Sequence, residues 1–445
     1  MAKITFMGAG STIFAKNVLG DCMLHPALSD SEIALYDIDP VRLEESKLML
    51  DNINTNVNAG KACIKSYLGK ENIKDALKDS QYVINAIQVG GYEPATVTDF
   101  EIPKKYGLRQ TIADTLGIGG IFRSLRTIPV VLEFAEEIMN VCPDAWFLNY
   151  VNPMAIITGA LLKGTGMKTI GLCHSVQDCV KNLFESLEMD LEGRNIEYFN
   201  AGINHMCWLL SITENGRDLY PEIKEKAAKI VSQARIKGNE KHSDMIRLEM
   251  MRHFGYYIAE SSEHFAEYLP YWIKTTHPHL IEEFNIPLDE YPRRCRIQIE
   301  GWDKDKQEII GDKSLTHEMS KEYGSRIINA IETDQPYKFW GNVINDNFIE
   351  NLPSEAIVEI PCYADKSGIN GIKTGKLPTQ CAALNMTNVN VQLLAIEAAL
   401  TLDREKVYQA AMLDPHTASE LSLDEIVKLC DELFDAHAAY LPEYK

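Results

Sequence analysis

Basic residues are scarce in this chain: 44 Lys and Arg stand against 64 Asp and Glu, a formal charge of −20. That field repels a phosphate backbone and argues against nucleic acid as a general partner. Long apolar runs are missing too, and none approaches the roughly 20 residues of a membrane-spanning helix. The cysteines, at 22, 63, 142, 173, 179, 207, 295, 362, 381 and 430, never crowd into the short spacing of a disulfide scaffold. The opening "MAKITFMGAG" reads as a strand and turn, not as a secretory leader. The expectation is a cytoplasmic protein with reduced thiols, most of them inert core residues. Low-complexity linkers are also lacking, which predicts two halves that pack closely.

What is present is an ordinary globular composition, 45% apolar and 24% charged over 445 residues. That length exceeds what one hydrophobic core usually supports. Apolar bursts of strand length recur at 3–8, 32–38, 63–68, 82–89, 145–151 and 168–173. Helical periodicity fills much of the space between, notably at 40–53 and 124–140. Strand alternating with helix predicts an α/β fold with a Rossmann-like parallel sheet covered on both faces. From about residue 195 the alternation fades. Residues 195–212 read as one or two strands, 220–235 and 243–259 as helices, and 389–439 as a helical end. The expected division is a dinucleotide-binding domain at 1–195 and a closely packed α+β domain at 196–445.

The first crossover carries a phosphate-site signature. "ITFMGAGS" ends a strand, Gly8 and Gly10 permit a tight turn and close backbone approach, and Ser11 can open a helix whose amides face a pyrophosphate. Asp37, at the end of the second strand, is placed to accept from a ribose hydroxyl, which favours NAD over NADP. The third glycine of the G-x-G-x-x-G pattern is replaced by Ile13, so the helix is expected slightly off the usual packing.

Ligands of open parallel sheets collect beyond the carboxyl ends of the strands. That rule nominates Asn85, Gln88, Asn149, Asn152, Cys173 and His174, although asparagines in "NYVNP" can equally serve turn chemistry. Cys173, beside His174 in "GLCHSV", is open to three readings: nucleophile, metal ligand or small buried side chain. His205 in "GINHM" sits in a similar apolar setting, where a lone histidine is more often a hydrogen-bonded core residue. The stretch "ESSEHFAEYLPYW" at 260–272 is dense in polar and aromatic groups, and its plainest reading is an amphipathic helix. One Cys and one His fall short of a usual zinc site.

These motifs together resemble glycoside hydrolase family 4, whose members depend on NAD and a metal and lie outside the two-carboxylate scheme of most glycosidases. "ITFMGAGS", "QTIADTLGIGGI", "LNYVNPMAI", "GLCHSV", "GINHM", "ESSEHFAEYLPYW" and "PLDEYPRRC" carry the resemblance in order along the chain. The "CHSV" version resembles the α-galactosidase branch. The resemblance implies oxidation at C3 of the sugar, loss of the C2 proton, elimination, water addition and re-reduction. By position it makes Cys173 and His205 ligands of Mn2+ or another divalent cation, Tyr268 the base at C2, and His174 the candidate proton donor. Asn152, Asp114 and Arg294 become substrate contacts, and Gly8, Gly10, Ser11, Asp37 and Asn85 the NAD contacts. It also implies a small α-galactoside as substrate and a homodimer or homotetramer. The same chemistry on an α-glucoside or α-galacturonide is one alternative. An NAD-dependent 2-hydroxyacid dehydrogenase is another, for which the required Arg-His-Asp carboxylate site cannot be assembled here.

Overall fold

Along the first strands, successive side chains enter two different cores. Ile4, Phe6, Ile33, Leu35, Ile84 and Leu148 face one, and Met7, Tyr36, Val83 and Phe147 face the other. A strand buried on both faces reads as a continuous apolar run, as these do. A computed structural model describes residues 1–236 and 238–445 and, in the helix Glu290–Ile310, the side chains other than those at 303, 305, 307 and 308.

The first half supplies β1 (Lys3–Met7), β2 (Glu32–Asp37), β3 (Cys63–Leu68), β4 (Tyr82–Asn85), β5 (Trp146–Asn149) and β6 (Thr169–Gly171). They pair in parallel in the order β3-β2-β1-β4-β5-β6. This is the doubly wound Rossmann order, with the order reversing between β1 and β4. The helix Pro40–Asn58 starts where Asp39 accepts the amides of Val41 and Arg42 with Pro40 at its first position, which is how an N-cap satisfies otherwise orphaned donors.

The second half supplies β7 (Ile196–Ile203), β8 (Met206–Glu214), β9 (Arg217–Asp218), β10 (Tyr257–Ile258), β11 (Tyr337–Ile344), β12 (Ile357–Asp365) and β13 (Gly368–Gly371). These strands extend the same sheet antiparallel: β11 pairs β6, β12 joins β11 to β7, and β8 and β10 follow. The halves are therefore welded edge to edge. Among the described residues no helix is long and apolar enough to cross a membrane.

Three expectations about the second half need correction. The helix expected at 243–259 ends at Phe254, because Gly255 turns left-handed at φ +90° and the chain then pairs β10 with β8. The stretch 260–272 is helical only at Ser262–Ala266. The helical end starts earlier than expected, at Thr379–Thr401, and continues through Arg404–Leu413, Pro415–Glu420 and Leu423–Ala436.

Candidate active site

The turn after β1 lies at the switch point. A Cβ on Gly8 would sit 2.8 Å from the Ala86 carbonyl group, and Gly8 adopts φ +87°, so only glycine lets this turn approach the end of β4. Asp37 Oδ2 accepts the Gly10 amide at 2.6 Å and Oδ1 the Asp39 amide at 2.9 Å. The acid thus closes the glycine turn as well as standing at the end of β2. Ile13 is 39% exposed and points away from the sheet, so its side chain costs the helix Thr12–Leu24 no packing space. Ser46 reaches across to Ala9 O at 2.6 Å and fastens the turn to the second helix.

A cavity of about 420 Å³ runs from this turn, at Ser11, Ile87 and Gln88, to Cys173, His205 and Glu260. Cys173 follows β6, and His205 sits in the tight turn between β7 and β8 at φ +61°. Antiparallel insertion of β11 and β12 between β6 and β7 sets the spacing of these two residues. Their ligand atoms and that of Glu260 lie within 4.8 Å of one another. His205 Nε2 is 3.3 Å from Glu260 Oε2.

The electrostatics single out this thiol. Burial pushes Cys22, Cys142, Cys179, Cys207, Cys295, Cys362, Cys381 and Cys430 above the ordinary thiol value. Burial would raise Cys173 as well, but the charge and hydrogen bond of His205 bring it below the ordinary value. Burial likewise opposes charge on His205 and Glu260, yet each holds the other ionised, the imidazole up to about 10 and the carboxyl down to about 2. A thiolate, an imidazole and a carboxylate converging on one point form a donor set that fits a divalent cation.

The opposite wall is built from "QTIADTLG" and "NYVNP". Asn152 Nδ2 donates to Asp114 Oδ2 at 3.2 Å, and Arg123 Nε donates to Asn152 O at 3.1 Å. Despite burial, the neighbouring His264 and Arg123 hold Asp114 below the usual carboxylate range. His264 spans the two walls, with Nε2 4.0 Å from Asp114 Oδ1 and Nδ1 3.5 Å from Glu260 Oε1. Its Nδ1 lies 2.7 Å from Ser261 Oγ. Burial and then the His205 charge lower the His264 pKa. At the mouth, His174 Nε2 meets Glu322 Oε2 at 2.7 Å. Burial works against the imidazolium, but Glu322 raises the His174 pKa above its ordinary value.

The structure therefore brings together Ser11, Gln88, Asp114, Asn152, Cys173, His174 and His205. Gly8, Gly10, Asp37 and Asn149 stand beside the lining rather than in it, and three further nominees also lie outside it. Tyr268 is fully buried behind His205, its hydroxyl 2.8 Å from His205 Nδ1, and burial pushes its pKa well above 10. Arg294 is held by two carboxylates, Glu290 at 2.8 Å and Glu263, outside the lining. Asn85 turns into the sheet end and donates to Asn149 Oδ1 at 3.0 Å, and the same oxygen accepts the Val151 amide at 3.2 Å, the turn chemistry open to Asn149. Sequence reasoning missed Glu260, His264, Arg123 and Glu322. The first two belong to the polar stretch at 260–272, whose density of charged and aromatic groups was the available signal. Arg123 and Glu322 carried none, because their partners are remote in sequence.

A model described as family 4 glycosyl hydrolase matches residues 3–189, and one described as its C-terminal domain matches residues 200–417. The chain is 61% identical over 445 residues to an alpha-galactosidase of Bacillus subtilis (strain 168), covering 100% of both chains. It is 34% identical to an alpha-galactosidase of Rhizobium meliloti (strain 1021), over 99% of this chain and 89% of that one. A 6-phospho-alpha-glucosidase from gut microorganisms, solved in complex with NAD and Mn2+, superposes with a TM-score of 0.81 at 20% identity over 100% of both chains. That last likeness speaks for the fold alone.

Proposed function

Because the chain belongs to glycosyl hydrolase family 4, we propose that it is an α-galactosidase that works with NAD and a divalent cation, Mn2+ foremost. The substrate assignment is supported by full-length identity of 61% to the Bacillus subtilis relative. The cofactor assignment is supported by the glycine turn at the switch point and by the converging donors of Cys173, His205 and Glu260 at the other end of one cavity. In this reading residues 1–195 carry the dinucleotide and 196–445 complete the metal and sugar walls. A homodimer or homotetramer in the cytoplasm completes it.

The turn from Gly8 to Ser11 would hold the pyrophosphate, with Asp37 toward the ribose, and Cys173, His205 and Glu260 would hold the cation. The chemistry these groups would supply when bound is reversible uptake of the hydride from C3 by the dinucleotide, returned later in the cycle, and polarisation of the C2 and C3 oxygens by the cation, which together acidify the C2 proton without net oxidation. His264 is the side chain placed to take that proton. Its Nδ1 is engaged by Ser261, which leaves Nε2 toward the cavity, and burial draws its pKa below the ordinary value, which favours a ring with a nitrogen free to accept a proton. This assigns to His264 the base role that the family resemblance pointed to at Tyr268, whose hydroxyl lies against His205 Nδ1 and outside the cavity lining.

His174 is placed at the mouth to give a proton to the departing C1 oxygen, with Glu322 holding the imidazolium. Asp114, Asn152 and Arg123 offer an acceptor, an amide and a cation to the sugar hydroxyls. The single observation that carries the reading is the facing of the Cys173–His205–Glu260 cluster by His264 and Asp114 across one cavity. The test is cleavage of p-nitrophenyl α-galactoside with NAD+, Mn2+ and reductant, each omitted in turn. Cleavage that persists after cofactor and metal are stripped out would falsify the mechanism.

A further inference from the structure

The loop that carries Asp114 is held by a residue that never reaches the cavity. Glu267, 2% exposed, accepts three consecutive amides: Thr111 N to Oε2 at 2.8 Å, Ile112 N shared at 3.2 and 3.3 Å, and Ala113 N to Oε1 at 2.8 Å. Thr111 Oγ1 adds a bond to Glu263 O at 2.6 Å. On the other side the loop is pressed against the helix Gly117–Val141, where a Cβ on Gly119 would come 2.6 Å from Ala113 O and one on Gly120 2.7 Å from Thr115 C. Ala113 itself sits at φ +54°, a left-handed conformation that a non-glycine residue keeps only where its surroundings impose it. Held on both sides, the loop carries Asp114 into the cavity lining.

Glu267 lies just beyond His264 on the segment that begins with Glu260, and its own amide bonds back to His264 O at 3.2 Å. One carboxylate thus joins the wall bearing Glu260 and His264 to the wall bearing Asp114. We propose that Glu267 is a positioning residue of the sugar site, setting the spacing between His264 and Asp114. This rests on the sugar-cleaving reading above, because Asp114 matters here as a substrate contact. Above about pH 7, where the Glu267 carboxyl is ionised, glutamine is a poor substitute in spite of its shape: its amide has one acceptor oxygen and would set an NH2 donor against the loop's N–H donors, so the comparison is read above that pH.

The experiment is a double-mutant cycle of E267Q and D114N, with KM and kcat on p-nitrophenyl α-galactoside in NAD+ and Mn2+, Mn2+ affinity, and amide exchange at 111–113. E267Q is expected to raise KM about tenfold or more, a usual size for losing an orienting partner, with Mn2+ affinity kept. In the D114N background the same change should add little, since groups acting as one unit are non-additive. Full additivity, or an unchanged KM, overturns the proposal. If E267Q does not fold, E267D, which keeps both acceptor oxygens on a shorter stem, enters the same cycle under the same criteria. Amide exchange separates the two readings. Faster exchange at 111–113 in a protein that cleaves no galactoside leaves the clamp standing and removes the substrate assignment, whereas unchanged exchange removes the clamp itself.

Discussion

His205 Nδ1 lies 2.8 Å from the hydroxyl of Tyr268, so the tyrosine backs the imidazole on the side away from Glu260 and the cavity. A metal-binding histidine is typically oriented by a partner on its other nitrogen. Four residues earlier, His264 occupies the position in the cavity that the tyrosine lacks.

The two residues should therefore fail differently. Tyr268→Phe is expected to weaken Mn2+ binding by about tenfold or more and to recover most of its turnover at saturating Mn2+. His264→Gln should lose about a hundredfold or more in kcat at any Mn2+ concentration. Metal titrations followed by turnover at saturation check this, and the opposite pattern would return the base role to Tyr268.

Cys173→Ser removes the one cysteine whose thiol is drawn below its ordinary pKa by a neighbouring imidazole. The expected outcome is loss of most activity and of Mn2+ affinity, with NAD+ binding and the circular dichroism spectrum retained. Loss of folding would mark Cys173 as a packing residue instead.

Away from the site, Arg126 and Asp99 form a buried bidentate pair at 3.0 and 2.6 Å, and His437 adds a contact to Asp99 Oδ1 at 2.8 Å. The pair ties the helix Val97–Lys105 to the helix Gly117–Val141, and the chain after Leu423–Ala436 to both. Arg126→Met leaves a carboxylate buried without its cation, which costs about 3–5 kcal/mol. Urea unfolding with NAD+ absent would measure that loss, and a change under 1 kcal/mol, roughly the worth of an exposed pair, would contradict it.

Glu267 also gives a signed pH dependence. Burial pushes its carboxyl from 4.5 up to about 7, with the amides of Thr111 and Ala113 offsetting part of the rise. Between those values the folded chain keeps a proton that the unfolded chain has released, so stability falls as pH rises from 4.5 to about 7 and the effect is complete above it. The shift corresponds to about 3 kcal/mol at most. Unfolding free energies across that window should slope less steeply in E267Q, which has no proton to release, and an equal slope would rule Glu267 out as the source.

The inner parallel strands were legible in the sequence because a strand buried on both faces leaves a local trace, a short apolar run such as "KITFMG" or "EIALYDI", while the largely exposed edge strand β3 leaves only the weaker run "CIKSYL". The glycine turn was legible for a similar reason, since the constraint on Gly8 acts within one turn. Cys173 and His205 could be nominated from family resemblance, but residues 32 apart in sequence give no local sign of meeting. Their convergence depends on β11 and β12, more than 130 residues further along, inserting between β6 and β7.

The doubly wound first half, the switch-point turn and the set of polar residues at its strand ends are each written in spacing a few residues long. Which of them face one another depends on how distant segments of the chain pack together. Within "SEHFAEY" that packing chose His264 for the cavity and Tyr268 for the position behind His205, and it engaged Arg294 with Glu290 and Glu263 outside the cavity lining. The physical reason is that orientation there is set by a single short turn of helix docked, through Glu267, onto a loop some 155 residues away.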